Sequence, residues 1–269
     1  MGTKTFFVTD AHLGSGADSR QREADLVRWL NVIEPEAKRV IMLGDIFDFW
    51  FTYKQAVPRG FVRLLGTMAR MADSGIEFHF FIGNHDMWMF DYLEKEIGVT
   101  MHSDPEAMEL EGKRFLLGHG DGLGKSDRKY NCLKRVFRGR LNQWLFAGIH
   151  PNIGFPVAYR WSNSSRRKHS LADNGYLGDE REDIFQYCKQ MQQQKLDAGV
   201  QPYDFFLFGH RHTPIVRPLG TATYINVGNW IEHRNYAVFD GETCELKSFE
   251  KATSISFSPH QHTNILVTN

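Results

Sequence analysis

The fold prediction starts from residues 39–48, which read Arg39-Val40-Ile41-Met42-Leu43-Gly44-Asp45-Ile46-Phe47-Asp48. A short apolar run bounded by a glycine is typical of a buried β-strand that ends there. Strands are also predicted at Thr3–Thr9 and Glu77–Ile82, on either side of this one. Helices are predicted between these strands, at about Ser19–Ile33 and Phe61–Ala72. This β-α-β-α-β order predicts an α/β fold in which helices cover a sheet.

The later part of the chain is different: short strands are predicted near its beginning and near its end. Ala107–Leu110 and Arg114–Leu117 flank the turn dipeptide Glu111-Gly112, which predicts a hairpin. Further strands are predicted at Phe205–Phe208, Pro214–Arg217, Ala222–Val227, Tyr236–Phe239 and Leu246–Phe249. The stretch between the two groups of strands is mostly helical. We therefore predict a core of residues 1–124 and 200–250, a helical insertion at 125–199, and a C-terminal tail at 251–269.

Composition excludes several classes of protein. The 269 residues contain 32 Lys plus Arg and 32 Asp plus Glu, so the formal net charge is zero. Such a balance argues against a chain that binds nucleic acid over its whole surface. Three scattered cysteines do not fit a disulfide framework or a cysteine-based zinc site. The N-terminal residues have no apolar stretch of the signal-peptide type, so we expect a cytoplasmic protein.

Five predicted strands are each followed at once by residues of the types that bind metal ions. These clusters are Asp10-Ala11-His12, Gly44-Asp45-Ile46-Phe47-Asp48, Gly83-Asn84-His85-Asp86, Gly118-His119-Gly120-Asp121 and Gly209-His210-Arg211-His212. Side chains at the carboxyl ends of strands in an α/β sheet converge on one crevice, so the five clusters can share a site. A pair of divalent cations needs a bridging carboxylate together with neutral nitrogen and oxygen ligands. This donor mixture favours manganese, with iron or zinc as alternatives, over an all-oxygen calcium or magnesium site.

These five clusters resemble the five sequence blocks of the calcineurin-like metallophosphoesterases, and the resemblance spans about Thr3 to Phe239. It implies a four-layer α-β-β-α metallophosphoesterase sandwich, here with a helical lid insertion. It also implies hydrolysis of phosphate esters or pyrophosphates with two metal ions. The resemblance gives one metal to Asp10, His12, Asp45 and His212, and the other to Asp45, Asn84, His119 and His210. It makes His85 the catalytic residue that stabilises the transition state or protonates the leaving oxygen, with Asp86 orienting the ring of His85.

The expected mechanism is direct hydrolysis. Two cations lower the pKa of a bridging water, which then attacks phosphorus in line. The metals and His85 offset the charge that develops on the phosphoryl oxygens. Because no serine or cysteine nucleophile is required, no phosphoenzyme is expected.

The predicted insertion has a strongly basic segment. Residues 125–170 contain eleven basic residues and one acidic residue, so the remaining chain carries the balancing negative charge. Tyr130, Leu133, Phe137, Leu141 and Trp144 recur at helical spacing and predict one apolar stripe. Residues 141–159 then contain no Lys, Arg, Asp or Glu, but Pro151, Asn152 and Pro156 interrupt them, so no transmembrane helix is predicted.

A basic amphipathic helix followed by a broken apolar segment is typical of a surface that contacts anionic lipid. Two other interpretations remain open at the level of sequence. The stripe could pack on the core while the charges face water. The basic residues could also form a groove for nucleic acid, although residues 141–159 are too apolar to follow a phosphate backbone.

The position of the insertion resembles one branch of the family, the UDP-2,3-diacylglucosamine diphosphatases of lipid A synthesis. In that branch a helical lid lies between the His-Gly-Asp and Gly-His-x-His blocks and holds acyl chains beside the metals. The resemblance implies cleavage of a nucleotide-linked lipid, UDP-2,3-diacylglucosamine, to UMP and 2,3-diacylglucosamine 1-phosphate. It also implies peripheral association with the anionic inner face of the cell membrane and no nucleic-acid partner. The substrate-binding residues that it suggests are Trp50, Asp127, Tyr130, Ser165, Arg166, Arg167 and Lys168.

Two positions depart from this branch. Its best-known members have arginine where this chain has His85, and glutamate where it has Asp48, for which we expect a role outside the metal ligands. Two alternatives therefore accompany the main hypothesis: a generic metal-dependent phosphodiesterase or nucleotide phosphohydrolase, and a non-enzymatic scaffold with the same fold. A scaffold is expected to have lost metal ligands, whereas here every expected position is filled. The oligomeric state is not predicted.

Overall fold

Two β-sheets form the centre of the molecule. The computed structural model describes residues 2–124, 128–170, 176 and 178–249, and of residues 128, 129 and 163–170 it describes only the backbone. The first sheet has the order β11 (Cys244–Ser248), β10 (Asn235–Phe239), β1 (Lys4–Val8), β2 (Ala37–Met42), β3 (Glu77–Phe81) and β4 (Thr100–His102). The second has the order β5 (Glu106–Leu110), β6 (Lys113–Gly118), β7 (Phe205–Phe208), β9 (Ala222–Asn226) and β8 (Ile215–Leu219).

The strands that carry the metal-type clusters run parallel to one another within each sheet. β1, β2, β3 and β4 run parallel in the first sheet, and β6, β7 and β9 run parallel in the second. Parallel strands are buried on both faces, which explains why their sequences are continuous apolar runs. In β1, Phe7 faces the second sheet while Phe6 and Val8 face the helices on the other side.

Helices cover the outer face of each sheet. α1 (Ser19–Ile33), α2 (Val62–Asp73) and α3 (Tyr92–Ile97) pack on the first sheet, where Trp29 and Met68 join its core. α7 (Asp183–Asp197) packs on the second sheet, where Phe185 and Cys188 contact the side chains of β7 and β9. The order of layers is therefore helix, sheet, sheet, helix, and the four-layer α-β-β-α sandwich predicted from the sequence is confirmed.

The predicted hairpin has the expected turn. Glu111 and Gly112 have φ angles of 46° and 80°, the positive pair that a two-residue turn between antiparallel strands favours. The last predicted strand, Leu246–Phe249, is displaced: β11 begins at Cys244, because a tight turn after Asp240 pairs Phe239 directly with Cys244. The short elements α3 and β4 were not predicted, since each has too few residues to show a period.

The described residues between β6 and α7 form three helices, which we call the lid helices: α4 (Arg128–Arg138), α5 (Arg140–Ala147) and α6 (Pro151–Ser170). The single apolar stripe predicted from the sequence is divided, because Gly139 has an extended conformation between α4 and α5. The predicted break in residues 141–159 lies at 148–150, and α6 continues through Pro156. Among the described residues, no helix combines the length and the apolar character needed to cross a bilayer.

Candidate metal centre

The five metal-type clusters meet at one place in the structure. They follow the carboxyl ends of β1, β2 and β3 in the first sheet and of β6 and β7 in the second. The two sheets are stacked with these ends at the same edge, so side chains that are up to 202 residues apart in the chain become neighbours. This convergence is the arrangement predicted from the sequence.

One group of ligand atoms is formed by Asp10, His12 and His212. The Nε2 atom of His212 lies 3.1 Å from Oδ1 of Asp10, and the Nε2 atom of His12 lies 3.6 Å from the same oxygen. The two Nε2 atoms are 3.4 Å apart. All three residues offer an atom within 4.8 Å of the others, so one cation could contact all of them.

A second group is formed by Asp45, His119 and His210, which also offer atoms within 4.8 Å of one another. The Nε2 atom of His119 lies 3.3 Å from Oδ2 of Asp45 and 3.2 Å from Oδ1 of Asn84. The amide oxygen of Asn84 is thereby placed where it could complete this group.

Asp45 lies between the two groups. Its Oδ2 atom is 3.3 Å from Nε2 of His119 in the second group and 3.8 Å from Nε2 of His12 in the first. Its other oxygen accepts a hydrogen bond of 2.8 Å from the backbone N–H of His85. Asp45 therefore has the position that a carboxylate bridging two cations would need.

Backbone strain is concentrated at these residues. Asp10, His12, Asp45, His210 and His212 all have positive φ angles, between 43° and 67°. Residues other than glycine rarely adopt this conformation, and it persists only where the surrounding structure enforces it. Hydrogen bonds from the backbone of Asp10 to Gly44 and from the backbone of His12 to Asp45 supply part of that enforcement.

Other side chains and carbonyl groups orient the ligands. Thr9 donates a hydrogen bond of 2.6 Å to Oδ2 of Asp10, and the Nδ1–H of His119 donates one of 2.8 Å to the carbonyl oxygen of Leu43. Because the carbonyl fixes the hydrogen on Nδ1, Nε2 of His119 keeps its lone pair for a cation. Asp48 Oδ1 lies 3.5 Å from Nδ1 of His12, so Asp48 is placed beside a proposed metal ligand.

The charged groups shift the pKa values of one another strongly. Burial alone raises the pKa of Asp45, but the imidazoles of His119 and His85 hold it well below its ordinary value. Burial lowers the pKa of His12, but contacts with Asp10 and Asp48 outweigh burial and raise it to about 9. Burial, together with the neighbouring His119, lowers the pKa of His210 to about 4. In the metal-free chain, protons on histidines therefore balance the buried carboxylates.

The donor set fits a pair of divalent cations. Each group supplies one carboxylate and two imidazoles, and Asn84 adds an amide oxygen, which is a mixture suited to manganese, iron or zinc. The buried carboxylates and their orienting partners are in place around both groups. The structure is thus compatible with the binuclear metal site that the sequence predicts.

His85 lies beside the ligands, and its ring is oriented by groups other than the expected Asp86. The Nδ1 atom of His85 is 3.0 Å from the carbonyl oxygen of Asp48 and 2.9 Å from Oγ of Ser162 in α6. The carboxylate of Asp86 instead accepts hydrogen bonds from the backbone N–H groups of Gly83, Ile46 and Phe47. Asp86 therefore fixes the loops after β2 and β3, because its oxygens are used by their backbone.

Two of the predicted substrate-binding residues have well-defined surroundings. Trp50 is fully buried, its ring packs against Phe47, and its indole N–H donates to Thr52, so Trp50 belongs to the core and presents no surface to a substrate. Tyr130 is half-buried on α4, and its hydroxyl donates a hydrogen bond of 2.7 Å to Asp121.

The other predicted substrate-binding residues have no described side chains. Asp127 lies outside the described residues, and Ser165, Arg166, Arg167 and Lys168 are described only as backbone of α6. Ser162, which the sequence analysis did not select, is a lid residue whose described side chain contacts His85. No local sequence signal could have indicated it, because its partner His85 is 77 residues away.

The lid helices expose an unusual amount of apolar surface. The exposed residues are Leu133, Val136, Leu141, Trp144, Leu145, Ile149, Ile153, Val157 and Trp161. Trp144 and Trp161 are 71% and 60% exposed, although tryptophan is usually highly buried. In α6 the residues on the opposite side, Phe155 and Tyr159, contact Tyr53 and Phe49 of the core. The lid helices thus have one face on the core and one apolar face turned outward.

A cavity of about 440 Å³ lies between α4 and the second group of ligands. Its lining includes His119, Asp121 and three basic residues of α4, Lys134, Arg135 and Arg138. Lys134 forms an ion pair of 2.6 Å with the buried Asp121. Arg138 forms an ion pair of 3.0 Å with Asp104, so the lining combines three basic and two acidic side chains beside His119.

Comparisons with known proteins relate this chain to a group of hydrolases. Comparison with protein-family models finds no match. The chain is 40% identical over 265 residues to the UDP-2,3-diacylglucosamine hydrolase of Porphyromonas gingivalis, covering 93% of this chain and 99% of that protein. It is 28% identical to the protein of the same name from Edwardsiella ictaluri, with 90% of each chain covered. Among solved structures, a phosphoesterase from E. coli aligns with a TM-score of 0.42 at 13% identity, over 92% of this chain and 100% of that one.

Proposed function

The chain belongs to the UDP-2,3-diacylglucosamine hydrolase family, and we propose that it hydrolyses the pyrophosphate bond of UDP-2,3-diacylglucosamine, releasing UMP and 2,3-diacylglucosamine 1-phosphate. The observation that carries the proposal is the resemblance over nearly the whole of both chains, together with the two groups of ligand atoms around Asp45.

We assign one cation to Asp10, His12, Asp45 and His212, and the other to Asp45, Asn84, His119 and His210. The distances around Asp45 and the hydrogen bonds that orient Asp10 and His119 support this assignment. When bound, such a pair of cations supplies Lewis acidity and neutralises charge on the phosphoryl oxygens. We propose manganese as the physiological metal, because the ligands combine imidazole with oxygen donors.

His85 is the proposed catalytic residue beside the metals. Its Nδ1 atom is held by Asp48 and Ser162, so Nε2 is the nitrogen that can reach a phosphoryl or leaving oxygen. Its side chain is 12% exposed, which keeps bulk water away from the ring. A positioned imidazole of this kind contributes about a hundredfold or more to hydrolysis, either as a donor to the leaving oxygen or as a charge on the phosphoryl group.

The lid helices are proposed to bind the lipid part of the substrate and to attach the protein peripherally to the inner face of the cell membrane. The exposed apolar residues of α4, α5 and α6 support this proposal, because water-soluble domains rarely leave such residues together on a surface. The eleven basic residues of segment 125–170 would attract anionic lipid headgroups. We also propose that segment 125–170 is the functional lid and that α7 belongs with the core on which it packs.

The nucleotide part of the substrate is anionic and requires positive charge near the metals. The cavity beside His119 has three basic side chains from α4, Lys134, Arg135 and Arg138, against two acidic ones, Asp104 and Asp121. The lid helices would thus contact both ends of the substrate, with the pyrophosphate bond over the ligands.

The deciding experiment is to measure UMP release from UDP-2,3-diacylglucosamine in mixed micelles by the purified protein reconstituted with manganese. We expect turnover that requires metal and that greatly exceeds the turnover of bis(p-nitrophenyl) phosphate. His85→Gln is the matched variant, because it preserves the fold and removes the imidazole. Cleavage of only the aryl diester would favour a generic phosphodiesterase, and a protein with no bound metal and no turnover would favour a scaffold.

A further inference from the structure

Among the described side chains of the lid helices, Ser162 forms a hydrogen bond with the proposed catalytic histidine. It lies on α6, and its side chain is 6% exposed, whereas its neighbour Trp161 is 60% exposed. Phe155, Tyr159 and Ser162 are spaced at intervals of four and three residues and therefore share one face of α6. That face packs on the core: Tyr159 contacts the ring of Phe49, and Ser162 reaches His85.

The hydrogen bonds define which ring nitrogen of His85 is held. Nδ1 is 3.0 Å from the carbonyl oxygen of Asp48, and this oxygen can only accept, so the hydrogen is on Nδ1. The Oγ atom of Ser162 is 2.9 Å from the same nitrogen and shares that hydrogen. Among the hydrogen bonds between described residues, none uses Nε2 of His85.

We propose that Ser162 is a positioning residue for His85, and that its hydroxyl, together with the Asp48 carbonyl, fixes the imidazole with Nε2 directed to the substrate. This inference rests on the proposed function. The Asp48 carbonyl belongs to the core and is always present, whereas the hydroxyl of Ser162 arrives only when α6 lies on the core. The imidazole of His85 is therefore correctly oriented when α6 packs on the core. In this way the binding of the lipid by the lid helices is coupled to the cleavage of the pyrophosphate bond.

The first test compares two substitutions of nearly equal shape. Ser162→Thr keeps the hydroxyl and Ser162→Val replaces it with a methyl group, so only the hydrogen bond distinguishes them. We expect Ser162→Val to lower kcat on UDP-2,3-diacylglucosamine about tenfold with little change in KM, and Ser162→Thr to keep most of the activity. Metal content and melting temperature are measured for both variants, and Ser74→Ala, which removes an exposed hydroxyl at the C-terminal end of α2, is the control.

The second test asks whether Ser162 acts through His85. In a His85→Gln background, Ser162→Val is expected to have no further effect on kcat, because the group that it positions is gone. The kcat of Ser162→Val is also measured with bis(p-nitrophenyl) phosphate. We expect the same loss of kcat on both substrates, since the orientation of His85 by Ser162 requires neither an acyl chain nor a nucleotide.

The third test does not depend on activity. In metal-free protein labelled with ¹⁵N-histidine, the Nδ1–H of His85 is assigned by its absence in His85→Gln. We expect its exchange with solvent to be at least about tenfold faster in Ser162→Val than in the wild type or Ser162→Thr, because one of its two acceptors is lost.

Three results would overturn the inference: equal kcat for the Thr and Val variants, an effect of Ser162→Val confined to the KM of the lipid, or an undiminished effect in the His85→Gln background. Each of them leaves UMP release by the wild-type protein untouched. Conversely, a wild-type protein that releases no UMP refutes the proposed function, while the exchange measurement still reports on the contact.

Discussion

At Gly209, the residue before His210, the backbone lies so close to the residues of the proposed metal site that no side chain fits. A Cβ atom at this position would lie 2.2 Å from Oγ1 of Thr9 and 2.5 Å from Oδ2 of Asp10. Thr9 and Asp10 are joined by a hydrogen bond, and the same carboxylate oxygen accepts the backbone N–H of His210. A side chain here must displace a ligand, because no flexible group is available to give way.

We therefore expect Gly209→Ala to lose bound metal and about ten- to a hundredfold of activity, since displaced orienting partners weaken metal binding to this extent. Metal content by mass spectrometry and UMP release measure the two effects. Gly66→Ala is the matched control: Gly66 lies within α2 with nothing near its missing Cβ, so it should be stabilising by about 0.5–1 kcal/mol. A Gly209→Ala protein that retains two metals would contradict the close packing described here.

The raised pKa of His12 predicts competition between protons and metal ions. Asp10 and Asp48 raise it to about 9, so in the metal-free chain His12 is protonated at neutral pH and must lose its proton when a cation binds. Manganese affinity should therefore rise with pH up to about 9 and fall as the solution is acidified, by up to about tenfold per pH unit for each proton displaced. Calorimetric titration in buffers of different ionisation enthalpy counts the released protons, and an affinity independent of pH between 6 and 8 would refute the prediction.

For single residues, the residue types and their spacing allowed the candidate metal ligands to be predicted. The hydrogen bonds and packing of neighbouring residues could not be predicted in this way. Asp10, Asp45 and His119 follow strands, and strand ends determine their position. Asp86 also follows a strand, yet its carboxylate binds backbone N–H groups, which no residue pattern distinguishes from orienting His85. Trp50 was misassigned for a related reason: its aromatic type fits a binding surface as well as the core in which it is buried.

Among the elements, α5 and α6 differ most from ordinary surface helices. They leave tryptophan and aliphatic side chains exposed on one side while aromatic residues such as Phe146 and Phe155 pack on the core from the other. Tertiary packing also explains why α6 continues through Pro156, where sequence alone indicated a break. Pro156 lies in the second turn, and the aromatic contacts of the helix offset the loss of one backbone hydrogen bond.

Replacing Trp144 and Trp161 together by serine is expected to reduce binding to anionic vesicles about tenfold or more, because both side chains are mostly exposed and would enter the interface. Co-sedimentation with phosphatidylglycerol–phosphatidylethanolamine vesicles measures the binding. Hydrolysis of bis(p-nitrophenyl) phosphate should be preserved. Val62→Ser, at a 76% exposed position on α2, is the control and should not alter sedimentation. Equal binding by the wild type and the double variant would remove the lid helices from the membrane contact.

At the scale of the whole molecule, the residues assigned to each proposed cation come from both sheets. Asp10 and His12 follow β1 of the first sheet, whereas His210 and His212 follow β7 of the second. The order of the elements along the chain allowed the layers to be predicted, because each strand and helix has its own local pattern. Which strands pair was not predictable, since β1 pairs with β10, more than 200 residues later, through a register set by the packed core.

Because metal binding joins the two sheets, it should stabilise the folded chain. At a manganese concentration about 100 times the dissociation constant, the gain is about 2.7 kcal/mol, which raises the melting temperature by about 5–10 °C. Differential scanning fluorimetry with and without a chelator measures the shift. Asp45→Asn should abolish most of it and reduce activity about a thousandfold, because the oxygen shared by the two groups loses its charge. A melting temperature unaffected by chelation would contradict a metal centre that spans both sheets.

The outward apolar face of the lid helices has a kinetic consequence. A hydrolase held on a bilayer by that face meets its substrate by lateral diffusion, so its rate would depend on the mole fraction of substrate among the lipids and not on the bulk concentration. Adding inert phospholipid at constant total substrate would then slow the reaction by dilution in two dimensions. One product would remain in the bilayer and the other would depart into water, so the two would leave the enzyme by different routes.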